Sequence, residues 1–288
     1  MNAVPSSQGI RTAVRSTEVT PMSQATHNNE ARKPGMRALA IAGRVLFPPL
    51  SIFGFWYLAV AFLGLPDFVI PRPGAVLGVL INENHFILEN LWPTLQAAAM
   101  GYVLANVVGI ALAVIVTSVP FLNQLLMPAA ITLRNVPYVA LATVLALAIG
   151  DTMLSKVLIL TIAGFFPVMV NTVRGIQSVD SVVLDRMRIL DVSPWRVFWQ
   201  VRLPYSLPFI MAAQEIVGSA SISIAIAAEW MLSSSGLGYV INRAMSQYRG
   251  DEVYAVALLA ALISYIVYLL IQYASRKLDW LGKTRPTK

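Results

Sequence analysis

Long charge-free runs, each closed by a charged residue, set the pattern of this chain. An α-helix needs roughly 20 apolar residues to cross the hydrocarbon core of a bilayer, so these runs predict membrane spans. The 22 uncharged residues between Arg44 and Asp67 give helix one. The 44 between Glu89 and Arg134 exceed one span and hold a break around Ser118, Pro120 and Asn123. That break separates helix two from helix three, which runs to about Gly150. The 17 between Lys156 and Arg174 give helix four, close to the short limit. Helix five runs from about Ser206 to Trp230 and helix six from Val253 to Ala274. The pattern predicts an all-α integral membrane protein, with six transmembrane helices in one domain over residues 39–280.

Composition sharpens the class. Of 288 residues, 57% are hydrophobic and 12% charged. That is about half the usual charged fraction, which sets aside a soluble globular domain. The net charge of +7 follows from topology: six Lys and Arg fall in the first 44 residues, five in the loop 174–204 and five from Arg276 onward. The opposite side carries four, Arg72, Lys156, Arg243 and Arg249. Sixteen against four places both termini and the loop in the cytoplasm by the positive-inside rule. No nucleic acid is needed to explain the basic balance.

The first 38 residues are rich in Ser, Thr, Asn, Gln and Pro without apolar periodicity, which predicts a disordered cytoplasmic tail. Residues 281–288 form a second cytoplasmic tail. No short apolar core of a cleaved signal peptide follows the start. The chain has no cysteine, which removes disulfides, thiol catalysis and thiolate metal sites. His27 and His85 are too far apart to suggest a metal cluster, and no Gly-x-x-x-x-Gly-Lys-Ser/Thr phosphate loop occurs. The expectation is a chain with no cofactor, no metal and no catalytic residues. If ATP drives it, another chain must bind the nucleotide.

The loop 174–204 has a physical reading of its own. Val183, Met187 and Leu190 fall at i, i+4 and i+7, one face of a short helix, while Asp185, Arg186 and Arg188 point elsewhere. Asp191 can end that helix, because Asp tolerates the left-handed conformation better than most residues. Ser193 and Pro194 read as the cap and first position of a second helix. Trp195, Phe198 and Trp199 make an aromatic face on it, and Pro204 and Pro208 are expected to separate it from helix five. Such a pair can lie along the membrane surface or dock on a partner protein.

The loop's spacing resembles the coupling loop of ABC importer permeases, Glu-Ala-Ala, three residues, Gly, nine residues, Ile-x-Leu-Pro. Here Asp185, Arg186, Met187, Asp191, Val201, Leu203 and Pro204 occupy those places. Arg186, Met187 and Asp191 depart from the family's two small residues and glycine. Gly164-Phe165-Phe166-Pro167, Asn171-Thr172, Arg174-Gly175 and Val179-Asp180 are similar to the nitrate, taurine and alkanesulfonate branch. So are Leu65-Pro66, Ile70-Pro71-Arg72-Pro73, Arg134-Asn135-Val136-Pro137, Ala228-Glu229 and the run Ser233 to Gly238. The resemblance covers roughly residues 45–280, with its elements in family order.

The resemblance implies a type I ABC importer permease in the bacterial inner membrane, with five core helices and an added first one. It implies ABC ATPase subunits docked on the loop, an extracytoplasmic solute-binding protein and a second permease copy. A homodimer is expected first and a heterodimer is the alternative. Family solutes include nitrate, bicarbonate, taurine and other sulfonates, and vitamin precursors. The departures place the details of docking in question, not the fold.

Polar residues within spans are the other candidates, since an acid at the centre of a lone helix costs roughly 2.5–3.5 kcal/mol on insertion scales. At about 100° per residue, setting Glu215 at 0° puts Ser219, Ser223 and Glu229 within one arc of about 120°. This arc is the expected translocation path. The alternative is that the serines bond to helix carbonyls and Glu229 sits near water at the outer interface. Arg134 is expected on the cytoplasmic side in the first half of helix three, with a pairing to Glu215 as the alternative. An ion-coupled secondary transporter using Glu215 and Glu229, or a membrane scaffold protein, are the readings from other classes.

Overall fold

The computed structural model describes residues 34–278, so most of the expected tail 1–38 and the tail 281–288 lie outside the described residues. The described residues divide into two units, 34–55 and 56–278. Helix α1, Pro34–Leu63, crosses from the first into the second, and its segment Leu50–Leu63 is apolar. The second unit is all-helical among the described residues. Its long helices are α3 (Asn84–Ser118), α6 (Met153–Gln177), α9 (Leu203–Leu232) and α11 (Gly250–Leu278). Four helices there are long and apolar enough to span a bilayer, and a bent pair can supply a fifth.

That bent pair corrects the expected straight helix three. Helix α4, Pro120–Arg134, and helix α5, Tyr138–Ile149, meet at 92° across Asn135, Val136 and Pro137. Pro137 has no N–H to continue the ladder and disfavours helical geometry at Val136, so the chain turns there. The break expected near Ser118 and Pro120 is present, with Val119 extended between α3 and α4. Two segments outside the expected spans are helical: α2, Pro73–Asn82, and α10, Leu237–Ser246. Arg134 closes α4, but its side chain and the alternative pairing with Glu215 lie outside the described residues.

Helices α3, α6 and α9 form the packed centre. Lipid tails are as apolar as Leu, so helices in a bilayer associate through close van der Waals packing rather than by escaping water. Small residues provide it here. A Cβ placed on Gly109 of α3 would lie 2.7 Å from the Phe165 carbonyl oxygen of α6. One on Gly164 would lie 2.9 Å from Val217 of α9 and 3.0 Å from Ala105 of α3. Near the other end, a Cβ on Gly175 of α6 would lie 2.7 Å from Ser206 of α9. Around these contacts pack Val168, Ala213 and Val217 in one cluster, and Ala113, Phe165, Phe166 and Met169 in another.

The outward faces carry large apolar residues, Met100, Val103 and Val107 on α3 and Leu262, Ile266 and Leu270 on α11, as lipid contact requires. At its start α6 is fixed by reciprocal capping. Thr152 Oγ1 accepts from the Ser155 N–H and Ser155 Oγ accepts from the Thr152 N–H.

Filling the α3–α6 contact should separate the helices. Gly109→Val is expected to destabilise the detergent-solubilised protein by about 1–3 kcal/mol, the usual range for overpacking, read as a lowered thermal unfolding midpoint. Gly54→Val, on α1 where a Cβ meets nothing within 4 Å, is the control that should change it little.

Candidate functional site

The loop that follows α6 is a compact helical turn. Asp180 Oδ1 accepts the Val182 N–H at 3.0 Å and so caps α7, Ser181–Ile189. Asp191 takes the left-handed conformation expected of it, with φ 53°. Around it the Val192 N–H donates to the Met187 carbonyl and the Asp191 N–H to the Arg188 carbonyl, each at 3.0 Å. These two bonds make a Schellman ending with Asp in the place usually held by Gly.

Helix α8, Pro194–Val197, follows, and Pro194 takes its first turn as expected. Ser193 acts only through its carbonyl, which accepts the Val197 N–H, and its side chain makes no cap bond.

The expected separation between this helix and α9 is absent. Phe198–Arg202 forms one π-helical turn that leads directly into α9, and Pro194–Met231 behaves as one 38-residue helix. The Leu203 N–H donates to the Phe198 carbonyl, five residues back. This wider turn accommodates Pro204, which has no N–H and whose ring would crowd a regular α-helical carbonyl four residues earlier. Pro208 is likewise carried inside α9.

Burial divides the loop's candidate residues. Met187, Phe198, Leu203 and Pro204 are half-buried, whereas Asp185, Arg186, Asp191 and Trp195 are exposed. Val183 and Met187 face inward as expected, but Leu190 does not: it is 69% exposed and Ile189 is 83% exposed. Trp195 is 69% and Trp199 49% exposed. Their rings meet edge to face at 5.5 Å, and Trp199 meets Phe198 in the same way. Asp185 pairs with Arg188 at 3.1 Å, an exposed contact that contributes little to stability.

Within the bundle, α3 and α9 share a polar ring that the sequence reading missed. Tyr102 Oη donates to Gln214 Oε1 at 2.5 Å and Gln214 Nε2 donates to Asn106 Oδ1 at 2.6 Å. Asn106 Nδ2 closes the ring on the Tyr102 carbonyl at 2.9 Å. Its signal in the sequence was the i, i+4 spacing of Tyr102 and Asn106 inside an uncharged run.

The expected arc on α9 is divided. Glu215 and Ser219 are half-buried, Ser223 is exposed, and Ser219 Oγ donates to the Glu215 carbonyl at 2.6 Å. Glu229 is fully enclosed, so the four residues do not share one open face. The reason is that the chain after α9 folds back over it. Glu229 Oε2 accepts from Thr94 Oγ1 at 2.8 Å and from the Gly238 N–H at 3.1 Å. Thr94 Oγ1 accepts the Leu237 N–H, and Asn90 Oδ1 the Gly236 N–H. Gly236 has φ 101°, and a Cβ there would lie 2.3 Å from the Glu229 carboxyl carbon.

A second clasp lies beside this one. Asp151 accepts the Ser234 N–H at 2.8 Å and pairs with the buried Lys156 at 3.4 Å. Burial pushes the Asp151 carboxyl up, but the Ser234 amide, Lys156 and the Ser233 and Ser234 hydroxyls together leave it below the usual aspartate range. A group so lowered stabilises the fold above its unfolded value, and that contribution is lost as pH falls through the folded one. At the same end Arg249 bridges Glu83 and Glu252, and Arg243 pairs with Glu252 while lying 4.0 Å over the Phe86 ring.

Two cavities accompany these elements. One of about 350 Å³ lies beside the α4–α5 break, where Tyr138, Asn171, Arg174 and Ile216 line it. The other, between the loop and the end of α3, holds about 570 Å³. Among the described residues no group of three or more acidic or histidine side chains is placed to hold a metal ion.

Residues 105–280 match the family described as "Binding-protein-dependent transport system inner membrane component". A probable ABC transporter permease protein of Haemophilus influenzae is 27% identical over 82% of this chain and 98% of its own length. A formylaminopyrimidine transport permease of Halalkalibacterium halodurans is 24% identical over 77% of this chain and 89% of its own. A putative aliphatic sulfonates transport permease of Bacillus subtilis is 27% identical over 86% of this chain and 90% of its own. Among solved structures, the inward-facing MetNI methionine ABC transporter has a chain that superposes with a TM-score of 0.61 at 15% identity. That match covers 69% of this chain and 98% of the other, and it shows a shared fold.

The Asp191 turn generates a prediction that needs no partner. A left-handed non-glycine residue costs about 1 kcal/mol, somewhat less for Asp. Asp191→Gly should therefore raise stability by a few tenths to about 1 kcal/mol, and Asp191→Val should lower it. Hydrogen exchange of the Asp191 and Val192 amides would register both changes.

Proposed function

Because this chain belongs to the family of binding-protein-dependent transport system inner membrane components, we propose that it forms the path of an importer for a small anion such as nitrate, bicarbonate or a sulfonate. It is a multi-pass ABC importer permease subunit, a transport protein without catalysis of its own. Such permeases work with ATPase subunits and an external binding protein. In this reading two copies pair as a homodimer in the inner membrane, with both termini and the loop on the cytoplasmic side. The charge asymmetry supports that orientation.

The exposed crest of the loop carries the reading. Ile189, Leu190, Trp195 and Trp199 form an apolar and aromatic surface at the end of a rigid helical turn, which fits docking into an ATPase groove. Exposed apolar surface of this kind, rimmed by Asp185, Arg186 and Arg188, marks an interaction site. The docking residues are then Asp185, Arg186, Met187, Asp191, Trp195, Phe198, Leu203 and Pro204. Of these, Trp195 provides an anchor while Met187 and Phe198 hold the turn from beneath.

The solute path follows the half-open face of α9 at Glu215, Ser219 and Ser223, beside the cavity that reaches Asn171 and Arg174. The Arg174 guanidinium supports an anionic solute. Glu229 contributes to the path by holding the segment 233–238 against α3 rather than by touching solute.

Two measurements test this. Trp195→Ala should lower recovery of the ATPase by the purified permease at least tenfold, since losing a hot-spot anchor costs an interface about 2 kcal/mol or more. Asp185→Asn should keep the complex but lower solute-stimulated ATP hydrolysis. Unchanged recovery with Trp195→Ala at equal permease expression would refute the docking role.

Orientation is tested with single cysteines in this cysteine-free chain. Ser193→Cys should react with an impermeant thiol reagent only from the cytoplasm, and Gln247→Cys only from outside. Gln247 is preferred to Ser234 because Asp151 holds the Ser234 hydroxyl and amide. Reaction of both from one side would overturn the topology.

A further inference from the structure

The cavity of about 570 Å³ between the loop and α3 shares Trp195 and Phe198 with the docking surface, while the exposed Ile189 and Leu190 lie outside its lining. Its walls mix two chemistries. Leu184 and Phe198 are apolar, while Arg188, Arg202, Thr117 and Ser118 bring two guanidiniums and two hydroxyls.

The hydroxyls are already committed as donors, Thr117 to the Ala113 carbonyl at 2.8 Å and Ser118 to the Val114 carbonyl at 2.7 Å. The arginines therefore set the sign of the site. Arg202 is half-buried and has no hydrogen-bond or ion-pair partner among the described residues. A partly desolvated cation in that position calls for an anion. Arg188 spends one nitrogen on Asp185 and keeps its other donors. Among the described residues no acidic side chain lines the cavity.

Position narrows the class of anion. Ser118 is the last residue of α3, so the cavity lies where a long apolar helix ends and the chain leaves the hydrocarbon. Trp195 forms part of its rim and Trp199 stands beside it, the residue type that concentrates at membrane interfaces. Just beyond, Ile115, Val119 and Phe121 expose an apolar strip to the lipid side. A ligand that fits both parts has a phosphate head and an apolar tail.

We propose that this cavity binds the headgroup of an anionic phospholipid, with the guanidiniums of Arg188 and Arg202 on its phosphate oxygens and its acyl chains along Ile115 and Phe121. Arginine suits this contact because its planar fork can meet two phosphate oxygens at once. A zwitterionic lipid carries the same phosphate but places an ammonium group beside two guanidiniums, so a net negative headgroup is favoured. Free phosphate shares the head chemistry and lacks the tails. A bound lipid would wedge the loop from α3 and set the angle at which the crest is presented. The inference stands on the cavity and the membrane-spanning fold, and does not depend on which solute is carried.

The test uses the full-length permease, delipidated in detergent and titrated with phosphatidylglycerol or phosphatidylcholine, with bound lipid counted by native mass spectrometry. The parent should retain phosphatidylglycerol in preference to phosphatidylcholine. Arg202→Gln should lower phosphatidylglycerol retention about fivefold, the factor for one Arg beside an anionic lipid surface, and Arg188→Gln with Arg202→Gln should abolish the preference. Arg202→Lys should retain more than Arg202→Gln and less than the parent, which separates loss of charge from misfolding. Arg72→Gln, at an exposed Asp67 pair far along the chain, should leave it unchanged.

Equal retention of the two lipids by the parent, or an unchanged preference in the double variant, would overturn the site. Full displacement of lipid by millimolar inorganic phosphate would assign it to a soluble phosphate instead. Expulsion of lipid on adding the ATPase would assign the cavity to the partner protein.

Discussion

Backbone-to-backbone approach among α3, α6 and α9 is the constraint on which the rest of this structure depends. In lipid there is no water for apolar side chains to escape, so only close contact and interhelical hydrogen bonds hold spanning helices together. Gly109, Gly164 and Gly175 let the three axes come near enough for main-chain atoms to meet side chains directly. The Tyr102–Gln214–Asn106 ring then becomes possible, because a buried amide needs partners within about 3 Å. Satisfied on both sides, that ring fixes the register of α9 against α3 without an ion in the hydrocarbon.

The two ends of the bundle inherit this register and use it differently. At one end the segment 233–238 is sewn onto α3 by Asn90, Thr94 and Glu229, and onto the start of α6 by Asp151. Most buried polar atoms there have defined partners, Glu229 Oε1 being an exception, so the region is held by geometry as much as by packing. At the other end the loop offers mostly exposed apolar and basic groups without such partners. The contrast fits one end built as a fixed lid and the other as a surface to be met by something else.

Much of this was legible in the sequence. Charge-free runs marked α3, α6, α9 and α11, because lipid admits few charges, although the helices run past the charges that close those runs, Glu89 in α3 and Lys156 and Arg174 in α6. Asp191 was readable as a left-handed turn residue, and Pro120 as the start of α4. What failed depended on three-dimensional context. Pro204 and Pro208 looked like breaks, but a wide turn at 198–202 accommodates Pro204, and Pro208 is carried inside α9.

Glu229 looked like a residue on the Glu215 face because angular position on a helix says nothing about which neighbour covers it. Gln214 escaped notice beside the charged Glu215, although its partners Tyr102 and Asn106 stand one turn apart on α3. The right-angle bend at residues 135–137 was hidden in an uncharged stretch that length alone reads as one straight helix.

The wide turn at Phe198–Arg202 has a mechanical consequence. By joining the loop's second helix to α9 without a gap, it makes Trp195 and Glu229 points on one lever. Their 34-residue separation corresponds to about 51 Å at 1.5 Å per helical residue. A tilt of roughly 10° at the Trp195 end would carry the Glu229 end through roughly 9 Å, were the helix to pivot there as a rigid body. The Thr94 and Gly238 bonds reach only about 3 Å and would part long before that displacement was complete. Such a tilt would unfasten the far side of the bundle only together with the Tyr102–Gln214–Asn106 ring, which holds α9 to α3 between those two points.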